Sequence, residues 1–240
     1  MQTLALIIPA YNEEKRLPRT FDLLEQAKNE GVFSSVELIE ILLIDDGSKD
    51  RTAAMIEDYQ KSHPQYRVIR VVPNQGKGNA IHTGLKAAQA DWCLIADADT
   101  ATPWDQFKKV WAAGTPVSIG SRDLPESKIT TSQSWVREHM GRTFNFLVRM
   151  ITGLPFRDTQ CGFKLINRQA IQPFIEKLEV KRFAWDVELL MFARAYQLGI
   201  TEVPVSWEHQ DASRVNPIKD SIEMLIRVIQ MRLRICFLKK

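Results

Sequence analysis

Short apolar runs at residues 4–8, 40–44, 67–72, 92–97 and 117–120 alternate with segments of helical period at Arg19–Asn29, Arg51–Ser62, Ala80–Ala90 and Trp104–Trp111. Runs this short and this uniformly apolar read as strands buried on both faces. Their alternation with helices predicts an α/β fold, a mainly parallel sheet flanked by helices. Ligands of such sheets sit outside the carboxyl ends of the strands. Polar clusters follow the first, second and fourth runs directly: Pro9-Ala10-Tyr11-Asn12-Glu13, Asp45-Asp46-Gly47-Ser48 and Asp97-Ala98-Asp99. They are expected to converge on one crevice.

Beyond residue 130 the pattern becomes helical. Val136, Met140, Phe144, Leu147, Val148 and Ile151 recur at spacings of three and four, with Arg137, Arg142 and Arg149 alongside. Further helices are expected over Val187–Leu198 and from Pro217 onward, and strands over Phe163–Ile166 and Thr201–Trp207. No Pro/Gly/Ser-rich linker divides the 240 residues, so one domain is expected, its pattern changing between 1–125 and 126–240. A net charge of +3 is too small to suggest nucleic acid. The three cysteines show no metal spacing and read as reduced thiols of a cytoplasmic protein. Leu4–Ile8 is too short for a signal sequence, and no run of about 18 apolar residues is present to span a bilayer.

Asp97 and Asp99, one residue apart past a strand end, can point two carboxylates at one divalent metal, which would hold a diphosphate. Neither a Gly-x-Gly-x-x-Gly nor a Gly-Lys-Ser/Thr phosphate loop occurs, which argues against a dinucleotide dehydrogenase or P-loop kinase. Asp45 or Asp46 can accept hydrogen bonds from a base or ribose, Tyr11 can stack on the base, and Lys77 and Arg122 can offset phosphate charge. Ser48 and Asp50 read equally as caps of the following helix. Arg122, Arg137 and Lys164 are candidates to hold phosphates. Asp186 is either a general base or the N-cap of the helix after it, and Asp158 either orients a basic side chain or caps its own loop. From Pro217 onward Ile218, Ile222, Leu225, Ile226, Ile229 and Leu233 form an apolar stripe flanked by Arg227, Arg232 and Arg234, suited to a membrane surface or to packing on the protein.

In order and content these clusters, with Asn74-Gln75-Gly76-Lys77-Gly78 and Gly120-Ser121-Arg122, resemble family 2 glycosyltransferases of the GT-A fold. Asp158–Lys164 and Phe183–Leu190 resemble dolichyl-phosphate β-glucosyltransferases and, less closely, dolichyl-phosphate mannose synthases. The resemblance implies an inverting transfer of a hexose from a nucleotide diphosphate sugar to a polyprenyl or dolichyl phosphate. It implies that Pro9, Tyr11, Glu13 and Asp45 bind the nucleoside, that Asp97 contacts ribose or metal, and that Asp99 ligates Mg²⁺ or Mn²⁺. Mannose synthases place a Gln two residues after the second acid, where this chain has Ala101. That departure favours UDP-glucose over GDP-mannose as donor. Transfer to a soluble hydroxyl, and a silent nucleotide-sugar-binding membrane adaptor, are the other readings.

Overall fold

The structure is a computed structural model that describes residues 1–131, 135–210 and 219–238, with the side chains of 131–140, 142, 219 and 236–238 left out. The first half runs β1 (Thr3–Ala10), α1 (Leu17–Asn29), β2 (Glu37–Asp45), α2 (Thr52–Ser62), β3 (Tyr66–Arg70), α3 (Lys77–Ala87), β4 (Trp92–Ile95), α4 (Phe107–Ala112) and β5 (Val117–Ser121). After it come β6 (Lys128–Thr131), α5 (Trp135–Thr152), β7 (Lys164–Asn167), α6 (Arg168–Ile171), α7 (Trp185–Ala195), β8 (Ile200–Pro204), β9 (Ser206–Glu208) and α8 (Lys219–Leu238).

A seven-stranded sheet in the order β3-β2-β1-β4-β7-β5-β8 forms the centre, with two apolar layers on its faces. The period of two decides which residue joins which layer. Ala5, Ile7, Leu42, Ile44, Cys93 and Ile95 pack with α3, α7 and residues of α5 and α8. Leu4, Leu6, Ile8, Ile41, Leu43 and Leu94 pack with α1 and α4 on the opposite face. Continuous apolar strands are therefore what two covered faces require.

Two features depart from the expected pattern. β7 runs antiparallel between β4 and β5, with Leu94 opposite Leu165 and Ile119 opposite Lys164. The segment Thr201–Trp207 divides into β8, on the main sheet, and β9, which pairs with β6 in a separate two-stranded parallel sheet. Pro204 brings no N–H to the β5 ladder, and Val205 is the hinge, donating to the Ser121 carbonyl and accepting from Lys128.

The C-terminal helices pack on each other and against the sheet. Met224, Val228, Met231 and Ile235 face inward from α8, whereas Ile222, Ile226, Ile229 and Leu233 are exposed. Phe146, Leu147 and Met150 of α5 are exposed as well. Pro217 and Ile218 lie outside the described residues. No helix among those described is long and apolar enough to cross a membrane.

Candidate active site

The three clusters that follow β1, β2 and β4 meet at the carboxyl ends of those strands, on the wall of a 630 Å³ cleft whose opposite side is supplied by α5, α7 and α8. The loops are stitched to one another by side-chain bonds. Asn12, at φ +51°, donates its N–H to Ser48 Oγ (2.8 Å) and accepts from the Lys49 N–H (2.7 Å), while the Glu13 N–H donates to Thr52 Oγ1 (2.6 Å). Ser48 thus ties β1's loop to β2's rather than capping α2. Asp50 does serve α2, accepting from the Thr52 N–H (3.0 Å). Pro9, Tyr11 and Glu13 line the cleft as expected.

Past β4 the side chains alternate, so that buried Ala98 separates two half-buried carboxylates that line the cleft. Asp99 accepts from the Ala101 N–H (3.0 Å) across Thr100, which adopts φ +53°. Burial and, after it, the neighbouring Asp97 raise the Asp99 pKa against the pull of Lys77 and Arg16. Gly162 faces them, and a Cβ there would clash with the Asp97 carboxylate. Among the described residues no third His, Cys, Asp or Glu joins them to make a closed metal cluster. An open pair of carboxylates in a cradle without a Cβ fits a hard divalent cation that takes its other ligands from phosphate and water.

Lys77, at the start of α3, lies 2.5 Å from Asp97. Its burial works toward a lower pKa, but Asp97, Asp186 and Asp99 together raise it. Gly76 permits this placement: it sits at φ +104°, and a Cβ would come within 2.6 Å of the Lys181 carbonyl. Asp46 fixes the same loop, accepting from the N–H groups of Gln75 (2.9 Å) and Gly76 (2.7 Å). Of the two candidate acids after β2, Asp46 borders the cleft. Asp45 is fully buried, accepts from the Ser48 N–H (3.1 Å), and lies 3.5 Å from Arg70.

Two buried ion pairs underlie the far wall. Arg122 lines the cleft, stacked over Trp207 at 5.5 Å, and is gripped by Asp158 through Nε (2.7 Å) and Nη2 (2.9 Å). Asp158 therefore orients a basic side chain and also caps its loop, accepting from the Gln160 N–H (3.1 Å). Burial works to raise its pKa, yet the Arg122 guanidinium holds it below the usual carboxylate range. Lys164 differs from expectation: it is fully buried beneath the cleft, donating to the Cys161 carbonyl and paired with Asp186, so it is not on the wall where a phosphate could reach it.

Asp186 is not an N-cap. The helix starts at Trp185, two residues earlier than the apolar pattern suggests, with Ala184 as its flanking residue. The Asp186 side chain lines the cleft, and burial raises its pKa to about 6 against the opposing pull of Lys164 and Lys77. The Arg137 side chain lies outside the described residues. Sequence reasoning missed Arg182 and Trp207, which also line the cleft. The only signal for Arg182 was its place immediately before Phe183-Ala184-Trp185-Asp186.

Residues 5–174 match the family model described as glycosyl transferase family 2. The dolichyl-phosphate beta-glucosyltransferase of Dictyostelium discoideum is 34% identical over 246 residues, covering 96% of this chain and 74% of the relative. The protein of the same name from Drosophila melanogaster is 36% identical, covering 92% and 72% respectively. Among solved structures, glucosyl-3-phosphoglycerate synthase from Mycobacterium tuberculosis in complex with Mn²⁺, UDP-glucose and phosphoglyceric acid superposes with a TM-score of 0.65. It shares 20% identity, covering 98% of this chain and 80% of that one. Strand-end acids on a mostly parallel sheet, a family model over most of the chain and relatives above 30% identity agree: this protein belongs to glycosyl transferase family 2 and has the GT-A fold.

Proposed function

We propose that this enzyme transfers glucose, with inversion, from UDP-glucose to a dolichyl or polyprenyl phosphate in a reaction dependent on Mg²⁺ or Mn²⁺. The observation that carries the reading is the Asp97 and Asp99 pair, open to the cleft beside Lys77. Relatives named for the same transfer, and a neighbour of the same fold crystallised with Mn²⁺ and UDP-glucose, support it. The chain acts as one domain: residues 1–125 hold the nucleotide sugar and 126–240 face the acceptor.

Asp99, with Asp97, would hold the cation, which when bound supplies charge neutralisation for the departing diphosphate. Pro9, Tyr11 and Glu13 line the nucleoside's side of the cleft, and Asp45 beneath them stiffens the loop after β2. Lys77 adds a fixed positive charge next to the diphosphate. Arg122, preset by Asp158, supports an incoming anion; Arg137 is proposed for the same anion from its place on α5. Lys164 acts through Asp186, which it holds in the cleft wall.

The acceptor decides how much a base is needed. A phosphate monoester loses its second proton near pH 6, and a carboxyl titrating at about 6 is matched to take that proton. Asp186→Asn is therefore expected to lower kcat by up to about fourfold at pH 5.5, where roughly three acceptors in four still carry that proton. At pH 8.5, where the acceptor is already a dianion, the deficit should vanish. A pH-rate comparison with a short polyprenyl phosphate reads this. An equal deficit at both values removes Asp186 as the base for this acceptor.

The exposed stripe of α8 and the adjoining apolar face of α5 are proposed to rest on the cytoplasmic surface of an anionic membrane. Arg227 and Arg232 flank the stripe and match the charge of such a surface. One assay tests donor, acceptor and surface together. The purified protein, Mn²⁺ and a panel of UDP- and GDP-sugars are mixed with liposomes carrying polyprenyl phosphate, then scored for glycolipid and for sedimentation. Glucose transfer from UDP-glucose alone, with protein in the pellet at low salt and released at high salt, is expected. Transfer from GDP-mannose, or to a soluble hydroxyl only, overturns the proposed substrates, and protein remaining in the low-salt supernatant overturns the membrane surface.

A further inference from the structure

Four Lys and Arg side chains among the described residues line the cleft: Arg16, Lys77, Arg122 and Arg182. Three are committed to a close carboxylate, Arg16 to Glu13 (3.0 Å), Lys77 to Asp97 (2.5 Å) and Arg122 to Asp158 (2.7 Å). Arg182 is held differently. Its half-exposed guanidinium lies 3.6 Å from Asp220 and 3.7 Å from Glu223, ion pairs too long for direct hydrogen bonds. The Glu223 pair, solvent-accessible on both sides, is weak, and a phosphate, which takes two parallel N–H donors, competes well for the guanidinium.

The backbone beneath Arg182 is rigid where the side chain is not. Glu188, buried on α7, accepts from the N–H groups of Glu179 (3.0 Å) and Val180 (2.9 Å), and the Lys181 carbonyl accepts from the Asn79 N–H (2.9 Å). A Cβ on Gly78 would come within 2.8 Å of the Arg182 carbonyl, so α3 presses directly on this segment. The attachment point is thus fixed relative to Lys77, one residue away from that glycine.

Arg182 also occupies a junction. A second cavity of 420 Å³ lies between residues 179–184 and α8. Gln75, Arg182, Phe183 and Met224 line both it and the cleft, so the two spaces adjoin at these side chains. The lining of the second cavity is mixed: Val180, Phe183, Met224 and Met231 are apolar, whereas Glu179, Glu188, Asp220, Glu223, Arg227 and Arg234 are charged. A ligand with an anionic head and an apolar tail finds a partner for the head in Arg182 and a first apolar contact in Phe183 and Met224 beside it.

We propose that Arg182 binds the phosphate of the lipid acceptor, drawing away from Asp220 and Glu223 as the acceptor enters along α8. The inference rests on the proposed function in taking a polyprenyl phosphate as acceptor, while the donor diphosphate belongs with Lys77, Asp97 and Asp99.

Equilibrium binding of farnesyl phosphate to the full chain, measured by calorimetry without donor, tests it. Arg182→Gln is expected to weaken binding by about tenfold, with Arg182→Lys intermediate because it keeps charge but not the bidentate fork. Glu223→Gln, which removes one competitor, should tighten binding by about twofold. Lys181→Gln controls for the simple loss of a nearby charge and should change it less than about twofold. The KM for UDP-glucose should stay within about twofold in Arg182→Gln. Unchanged farnesyl phosphate binding in Arg182→Gln, an equal loss in Lys181→Gln, or no binding by the unsubstituted protein overturns the proposal. Inorganic phosphate competing as tightly as the lipid would assign Arg182 to a free anion and overturn the lipid assignment. As binding is read without turnover, absence of glucose transfer would sink the proposed function and leave this result standing.

Discussion

Asp99→Asn is expected to reduce glucosyl transfer by at least about 10²-fold, the scale of losing one electrostatic stabiliser of a developing anion. The substitution keeps the side chain's size and its ability to accept from the Ala101 N–H, so the turn after β4 should survive. What it removes is one of two negative charges facing the cleft. Burial and, after it, repulsion from Asp97 raise the Asp99 pKa. Asn should therefore relieve that repulsion and leave thermal stability unchanged or slightly higher while activity falls. Mn²⁺ affinity in the presence of UDP, followed by electron paramagnetic resonance, should weaken in parallel. Retention of more than a tenth of the activity with unaltered Mn²⁺ affinity would exclude Asp99 as a metal ligand.

Lys164→Met is expected to produce the largest stability loss, about 3–5 kcal/mol, the cost of stranding one partner of a buried ion pair. Lys164 and Asp186 are both buried, and the ammonium also satisfies the Cys161 carbonyl. Methionine replaces the volume but leaves Asp186 a carboxylate in an apolar wall. The pH dependence identifies the cause. Burial already pushes the Asp186 carboxyl up to about 6 from its ordinary value of 3.8, and losing Lys164 pushes it higher. A raised carboxyl favours the folded state at low pH, and that contribution is lost as pH rises through the folded-state pKa. The deficit of Lys164→Met should thus be larger at pH 8 than at pH 5 in urea denaturation. Adding Asp186→Asn should recover much of it at pH 8. A deficit independent of pH would assign the loss to packing instead of the stranded charge.

The elements that sequence patterns located best are those whose signal is local. β1, β2 and β4 carry apolar runs that can only be buried on both faces, and α1 places Leu17, Phe21 and Leu24 inward at spacings of three and four. The cleft-facing acids were legible for the same reason, since Asp97 and Asp99 follow a strand end whose direction the α/β alternation sets. α8 was legible only in part. Its outer stripe was recognised, but Met224, Val228, Met231 and Ile235 form a second apolar face that packs inward, and the spacing of either stripe alone does not say which one is covered.

Side-chain partnership was decided elsewhere. Lys164 and Arg122 look alike in sequence, as cations near polar loops, yet one is buried against Asp186 and the other is displayed to the cleft by Asp158, 36 residues away. The antiparallel insertion of β7 brings Lys164 beneath the cleft, and the early start of α7 turns Asp186 from a capping position into the wall. Sequence alone determined the fold class and the cleft-facing acids, because hydrophobic period and strand ends are local properties of the chain. Only the tertiary structure decided which cations are spent on internal carboxylates and which, like Arg182, remain loosely held, because that depends on packing between segments far apart in sequence.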